Sequence, residues 1–145
     1  MNKFDDTKLY VLLIENDFDK IYSFLKTYGL DSVDRDGRTF LMSAVVESKI
    51  DLVKYLLGIG CDVNISDKNG LTPLHFAAIH NRKDIAEILI ARGAKIDFED
   101  SQGNTPLWRA AMENDAESPV IKYLIRLGSD INHKNRHGVS VKNLL

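Results

Sequence analysis

The sequence predicts an all-α solenoid with β-hairpin fingers, built as a stack of helix-turn-helix units. Three observations point there. A glycine recurs within Asp-x-x-Gly-x-Thr or a close variant of it: 33 residues separate Gly37 from Gly70 and Gly70 from Gly103, and 35 separate Gly103 from Gly138. A second set, Gly29, Gly60, Gly93 and Gly128, keeps nearly the same rhythm. Asp62-Val63-Asn64, Lys95-Ile96-Asp97 and Asp130-Ile131-Asn132 each begin two residues after one of those glycines. Self-similarity at one period is the mark of a repeat architecture, in which each unit buries its apolar face against its neighbours.

Taken in order, Met1–Asp6 reads as a frayed lead-in, and residues 1–33 form an N-terminal capping helix pair. Thr7–Glu15 is a first helix made apolar by Leu9, Tyr10, Leu12, Leu13 and Ile14. Asp17 caps a second, Phe18–Tyr28, which Gly29 stops. No turn signature precedes this pair, as expected of a terminal unit that faces water on one side. The first full unit, 34–66, has Thr39 as the cap of its first helix and Ser43-Ala44 as a small-residue contact. Leu52, Val53, Tyr55, Leu56 and Leu57 supply the apolar face of its second helix. In the central unit, 67–99, Thr72 offers the capping hydroxyl and Pro73 takes the first helical position, where its missing N–H costs nothing. Asn81–Lys83 break the chain, Asp84 caps a second helix bearing Ile85, Ile88, Leu89 and Ile90, and Gly93 ends it. The third unit, 100–134, carries a two-residue insertion within Glu113–Pro119, between its helices, and Pro119 opens the helix Val120–Leu127. Residues 135–145 start a fourth unit as a truncated C-terminal cap, with Gly138 and Ser140 in register and Val139, Val141, Leu144 and Leu145 covering part of the third.

The central stretch, Asp67–Phe98, reads DKNGLTPLHFAAIHNRKDIAEILIARGAKIDF. Its Thr-Pro-Leu-His turn, Ala77-Ala78 pair and Gly93-Ala94 make it resemble an ankyrin repeat. The first unit departs from that pattern with Thr39-Phe40-Leu41-Met42, and the third places Trp108 where the histidine stands. The resemblance implies that the His75 ring bonds backbone in the adjoining turn. It also implies that hairpin tips and first-helix residues line a concave groove for a protein partner. Those positions are Arg35, Asp36, Arg38, Val46 and Glu47 in the first unit. In the central unit they are Ser66, Lys68, Asn69, Leu71, Ile79 and His80. In the third they are Glu99, Ser101, Gln102, Asn104, Met112 and Glu113, with Trp108 either packed between units or reaching the groove with its edge. Leu71, Ile79 and Met112 are apolar among polar neighbours, the pattern of an apolar centre with a polar rim.

Composition sets the wider bounds. The chain has 145 residues, 44% hydrophobic and 28% charged, as expected of one soluble domain with a real core. A net charge of −2 argues against a general nucleic-acid or membrane-surface binder. The charge is uneven: −2 over residues 1–50, −4 over 51–117 and +4 over 118–145. The basic end holds Lys122, Arg126, Lys134, Arg136 and Lys142 beside His133 and His137, an arrangement that steers acidic partners or simply solvates a cap. Cys61 has no second cysteine to pair with, and it sits in a small-residue slot as a buried, inert thiol. MNKFDDTKLY does not read as a signal peptide, and no run of about 18 apolar residues is present to span a bilayer. The expected location is cytoplasmic, or outside by a route that needs no such leader.

No phosphate loop, nucleophile elbow or His-Glu-x-x-His motif is present. His133 and His137 flank a hairpin tip rather than share a helix face, so no metal is expected there, nor any cofactor. The carboxylates fall at caps, hairpins and outer helix faces, so no acid–base pair stands out. The reading is a non-enzymatic binding module, an inhibitor or adaptor, monomeric or in a 1:1 heterocomplex. A bacterial immunity protein that occludes a toxin, a host-directed effector and a self-assembling structural protein share these sequence features.

Overall fold

The computed structural model describes residues 5–145, and the first four residues of the expected lead-in lie outside them. Eight helices alternate along the described chain: α1 (Asp6–Glu15), α2 (Phe18–Tyr28), α3 (Phe40–Val46), α4 (Ile50–Gly58), α5 (Pro73–Ile79), α6 (Lys83–Ala91), α7 (Pro106–Glu113) and α8 (Pro119–Arg126). α3, α5 and α7 pack side by side as an inner layer, and α4, α6 and α8 form an outer one. α1 and α2 join the stack through aromatic contacts, Phe18 with Tyr55 at 4.8 Å and Phe24 with Phe40 at 6.3 Å between ring centroids. One apolar core runs the length of the stack. Phe40, Leu74 and Leu107, at the same position after each capping threonine or one residue on, are essentially inaccessible.

The caps explain the helix starts. Thr39, Thr72 and Thr105 each sit in extended backbone and accept a hydrogen bond from the N–H three residues on. Asp17 does the same for α2 through the N–H groups of Asp19 and Lys20. Two starts differ from expectation. α1 begins at Asp6, because Asp5 caps it through the Thr7 N–H at 2.9 Å, so Asp5 and Asp6 belong to the helix start and not to a frayed lead-in. α6 begins at Lys83 with Arg82 as its N-cap, so Asp84 does not cap it. The Asp84 carboxylate lies inside the first turn, holds the Arg82 guanidinium at 3.0 and 2.7 Å, and still meets the positive end of the helix.

The fingers are four copies of one turn. The N–H of Asp34, Asp67, Asp100 and Asn135 donates to the carbonyl four residues on, while its own side-chain Oδ1 accepts from the N–H groups two and four residues on. Isolated antiparallel bridges, Val33 with Thr39 and Lys134 with Ser140, are the β-structure among the described residues. The glycines stand where successive fingers touch. A Cβ built on Gly70, which has φ +78°, would lie 2.6 Å from the Ser101 nitrogen. Where the first helix of a fourth unit was expected, the chain makes a single 3-10 turn, Val141–Asn143, whose buried Val141 covers the end of the stack beside α7.

Candidate protein-binding face

The fingers are tied into one rigid row. Lys68 N–H donates to the Asp36 carbonyl at 3.1 Å, Ser101 N–H to Asn69 at 3.0 Å and Arg136 N–H to Gln102 at 3.0 Å. Each bond uses backbone alone, so the side chains at the tips are left to face solvent. Arg35, Asp36, Ser66, Lys68, Asn69, Glu99, Ser101 and Gln102 are exposed there. Arg35 meets Asp6 of α1 at 2.9 Å.

Buried polar links fix the base of the row. His75 donates from Nε2 to the Asn104 carbonyl at 2.9 Å, and its Nδ1 accepts from the Thr72 N–H at 3.1 Å. Because a carbonyl can only accept, the ring is held as the neutral Nε2–H tautomer. Burial lowers its pKa below the usual value, against the opposing pull of the Asn104 hydrogen bond and of Asp100. The implied structural role of His75 is thereby observed. Asp100 has no side-chain exposure and is paired with Arg109 at 2.7 Å, so its charge is compensated where it is buried. Arg38 reaches from the first finger to Asp67, with 3.8 Å between Nε and Oδ2, and lies 5.0 Å from the Phe76 ring centroid.

Asn104 is corrected from a contact residue to a structural one. It is 3% exposed, and its side-chain oxygen accepts from Asn135 Nδ2 at 2.9 Å, joining the third finger to the fourth. Trp108 is half-buried and donates its indole N–H to the Val139 carbonyl at 3.2 Å, which gives it the packing duty between units and leaves only part of the ring accessible. Arg38, Val46, Leu71 and Ile79 are also half-buried, whereas Glu47, His80, Met112 and Glu113 are exposed. His133 donates toward the Gly103 carbonyl at 3.1 Å and lies 3.0 Å from Glu99, while His137 contacts Gln102 at 3.2 Å, so the two rings serve separate links.

Two residues beyond the expected set join the face at its N-terminal end. Tyr10 and Ile14 are 59% and 69% exposed, and their i,i+4 spacing places them on one side of α1. They share a hollow of ≈ 310 Å³ with Leu13, Glu47 and Lys49. A second hollow of ≈ 180 Å³ connects Tyr10 with Arg38, Ser43 and Val46. The signal was present in the sequence as an α1 more apolar than a helix with one buried side requires. Only Leu9, Leu12 and Leu13 of this helix are buried, and Val11 is also exposed. Tyr10 and Ile14 on α1, the half-buried Val46 and Ile79, and Met112 thus mark α1 and each of the three inner helices, with charged residues beside them.

Cys61 is buried, its Sγ directed at the Leu30 carbonyl at 3.6 Å, and burial pushes its thiol up to about 12. Among the described residues no group of three His, Cys, Asp or Glu side chains is placed to hold a metal ion. Nor is any helix there long and apolar enough to cross a membrane. No curated protein shows significant similarity to the chain. A family model described as ankyrin repeats in three copies matches residues 1–67 and 46–135. Proteins built of such repeats generally mediate protein–protein interaction and are typically not enzymes. The periodic fingers, the paired helices and this match agree: the chain belongs to the ankyrin-repeat family.

Proposed function

We propose that this chain is a non-catalytic binding module that grips one protein partner on the face formed by its fingers and inner helices, and acts as an inhibitor or adaptor by covering the surface it holds. One capping pair, three units and a truncated cap act as a single domain in this reading. The observation that carries it is the apolar set with polar surroundings. Tyr10, Ile14 and Met112 are large, apolar and more than half exposed, a state that solvent disfavours and a partner relieves. Beside them lie Glu47, His80 and Glu113, which have room to form rim contacts. The rigidity of the finger row adds support, because a pre-organised surface loses little entropy on binding.

The test is an alanine set at Tyr10, Ile14, His80 and Met112, all exposed, so that folding is spared. Binding to the captured partner should fall by about 2 kcal/mol or more for the set, with the melting temperature held. Unchanged affinity in a folded variant would remove this face from the account.

A further inference from the structure

Residues 118–145 are the most basic part of the chain, and two cations without an ion-pair partner among the described residues, Lys134 and Arg136, stand on one finger there. From the charge pattern and the geometry of that finger we infer that it recognises an acidic peptide segment of the partner, whose apolar anchor then seats toward Met112. This rests on the binding face proposed above and names the chemistry of what it takes.

Residues 118–145 contain five Lys and Arg against a single acid, Asp130. Lys134, Arg136 and His137 stand exposed around the fourth finger's tip. Lys134 and Arg136 enter no ion pair among the described residues, whereas Arg35, Arg38 and Arg109 each have a carboxylate partner. Glu99, on the preceding finger, lies 3.0 Å from the His133 ring.

The finger is also held still. Its Asn135 closes the turn with Oδ1 and crosses to Asn104 with Nδ2 at 2.9 Å. The Arg136 N–H and the His133 ring add two more bonds to the third finger, at 3.0 and 3.1 Å. A fixed turn presenting two cations suits carboxylates separated by one or two residues on an extended peptide. The Val139 carbonyl in the same finger accepts from the Trp108 indole at 3.2 Å, and Met112 lies one helical turn beyond Trp108 on α7. Trp108 thus ties the fourth finger to the helix that carries the exposed Met112 thioether. A nucleic acid or anionic membrane fits worse. Its charge extends beyond one finger and would next meet exposed Glu99 and Glu113, within a region that carries −4 over residues 51–117.

The test is selection from a displayed library of random twelve-residue peptides by the whole chain, repeated with the Lys134→Glu/Arg136→Glu double variant. The Lys134→Gln/Arg136→Gln variant serves as a milder control, and circular dichroism and melting verify each fold. The native chain should enrich peptides bearing paired Asp or Glu next to an apolar residue. Those peptides should bind the Glu variant at least roughly tenfold more weakly, with an intermediate loss for the Gln variant and a marked loss in high salt. Peptides selected without acidic enrichment, or bound equally by the variants, would overturn the inference and leave the binding face standing. Failure of the native chain to select any peptide would overturn both. Tighter binding to a single-stranded oligonucleotide or to phosphatidylserine vesicles than to the selected peptides would also reject it.

Discussion

His75 Nε2 donates to the Asn104 carbonyl at 2.9 Å, across 29 residues of sequence, and so fastens the central unit to the finger of the third. Both groups are withdrawn from solvent, and the same ring closes its own helix start through Thr72. A single side chain thereby makes a local cap and a contact between units. A proton on Nδ1 would break the cap and place a charge in the core.

Stability should therefore fall with acid. The folded pKa of His75 is lowered below 6.5, so the unfolded chain binds the proton first as pH drops. Its contribution is complete above pH 6.5 and is lost as pH falls from there toward the lowered folded value. Denaturant midpoints at pH 7.5 and 5.5 check this. His75→Gln should be less stable than the native chain by about 1–3 kcal/mol at pH 7.5 and should lose less on acidification. An equal loss in both chains would assign the acid sensitivity to other groups.

Gly70 gives a steric prediction. Alanine there meets the Ser101 nitrogen at 2.6 Å and must also hold φ +78°, whereas alanine at Gly93, with φ +92°, meets no atom within 4 Å. Gly70→Ala should cost more than Gly93→Ala, about 3 kcal/mol against about 1 kcal/mol by equilibrium unfolding. Equal costs would mean that the finger row yields without penalty.

Asp100 gives an electrostatic one. Asp100→Ala removes the acceptor for the Gln102 and Asn104 N–H groups and leaves Arg109 without its carboxylate. A loss of about 3–5 kcal/mol is expected, and Asp100→Ala/Arg109→Met should recover part of it. No recovery would mean that the turn, not the stranded cation, sets the cost.

Cys61 should be silent in the native state. With its thiol pushed up to about 12 and its sulfur buried, a disulfide reagent at pH 8 should label it only through opening of the fold. Labelling should accelerate in step with added denaturant. Fast labelling of the folded protein would contradict the burial described.

Much of this fold was legible because the repeat imposes local chemistry that short spacings reveal. The capping threonines and Pro73 and Pro106 at helix starts depend on neighbours within four residues, and the 33-residue glycine rhythm is visible as a bare repeat. Where the outcome depended on a residue from another unit, the sequence was a weaker guide. Asn104 occupies a tip position by spacing, yet Asn135 draws its side chain into the stack. Asp84 has the identity of a cap, but Arg82 binds it within the first turn. Tyr10 and Ile14 lie outside any finger motif, so the pattern that located the other face positions passed over them. Their place became visible once α1 was seen beside Glu47 and Lys49.

In the proposed binding mode the fingers and inner helices meet the partner. Hydrogen exchange of the chain alone and in complex with its captured protein partner tests it most directly. New protection is expected in the fingers and along α1, α3, α5 and α7, with α4, α6 and α8 exchanging as before. Protection confined to α4, α6 and α8 would contradict it.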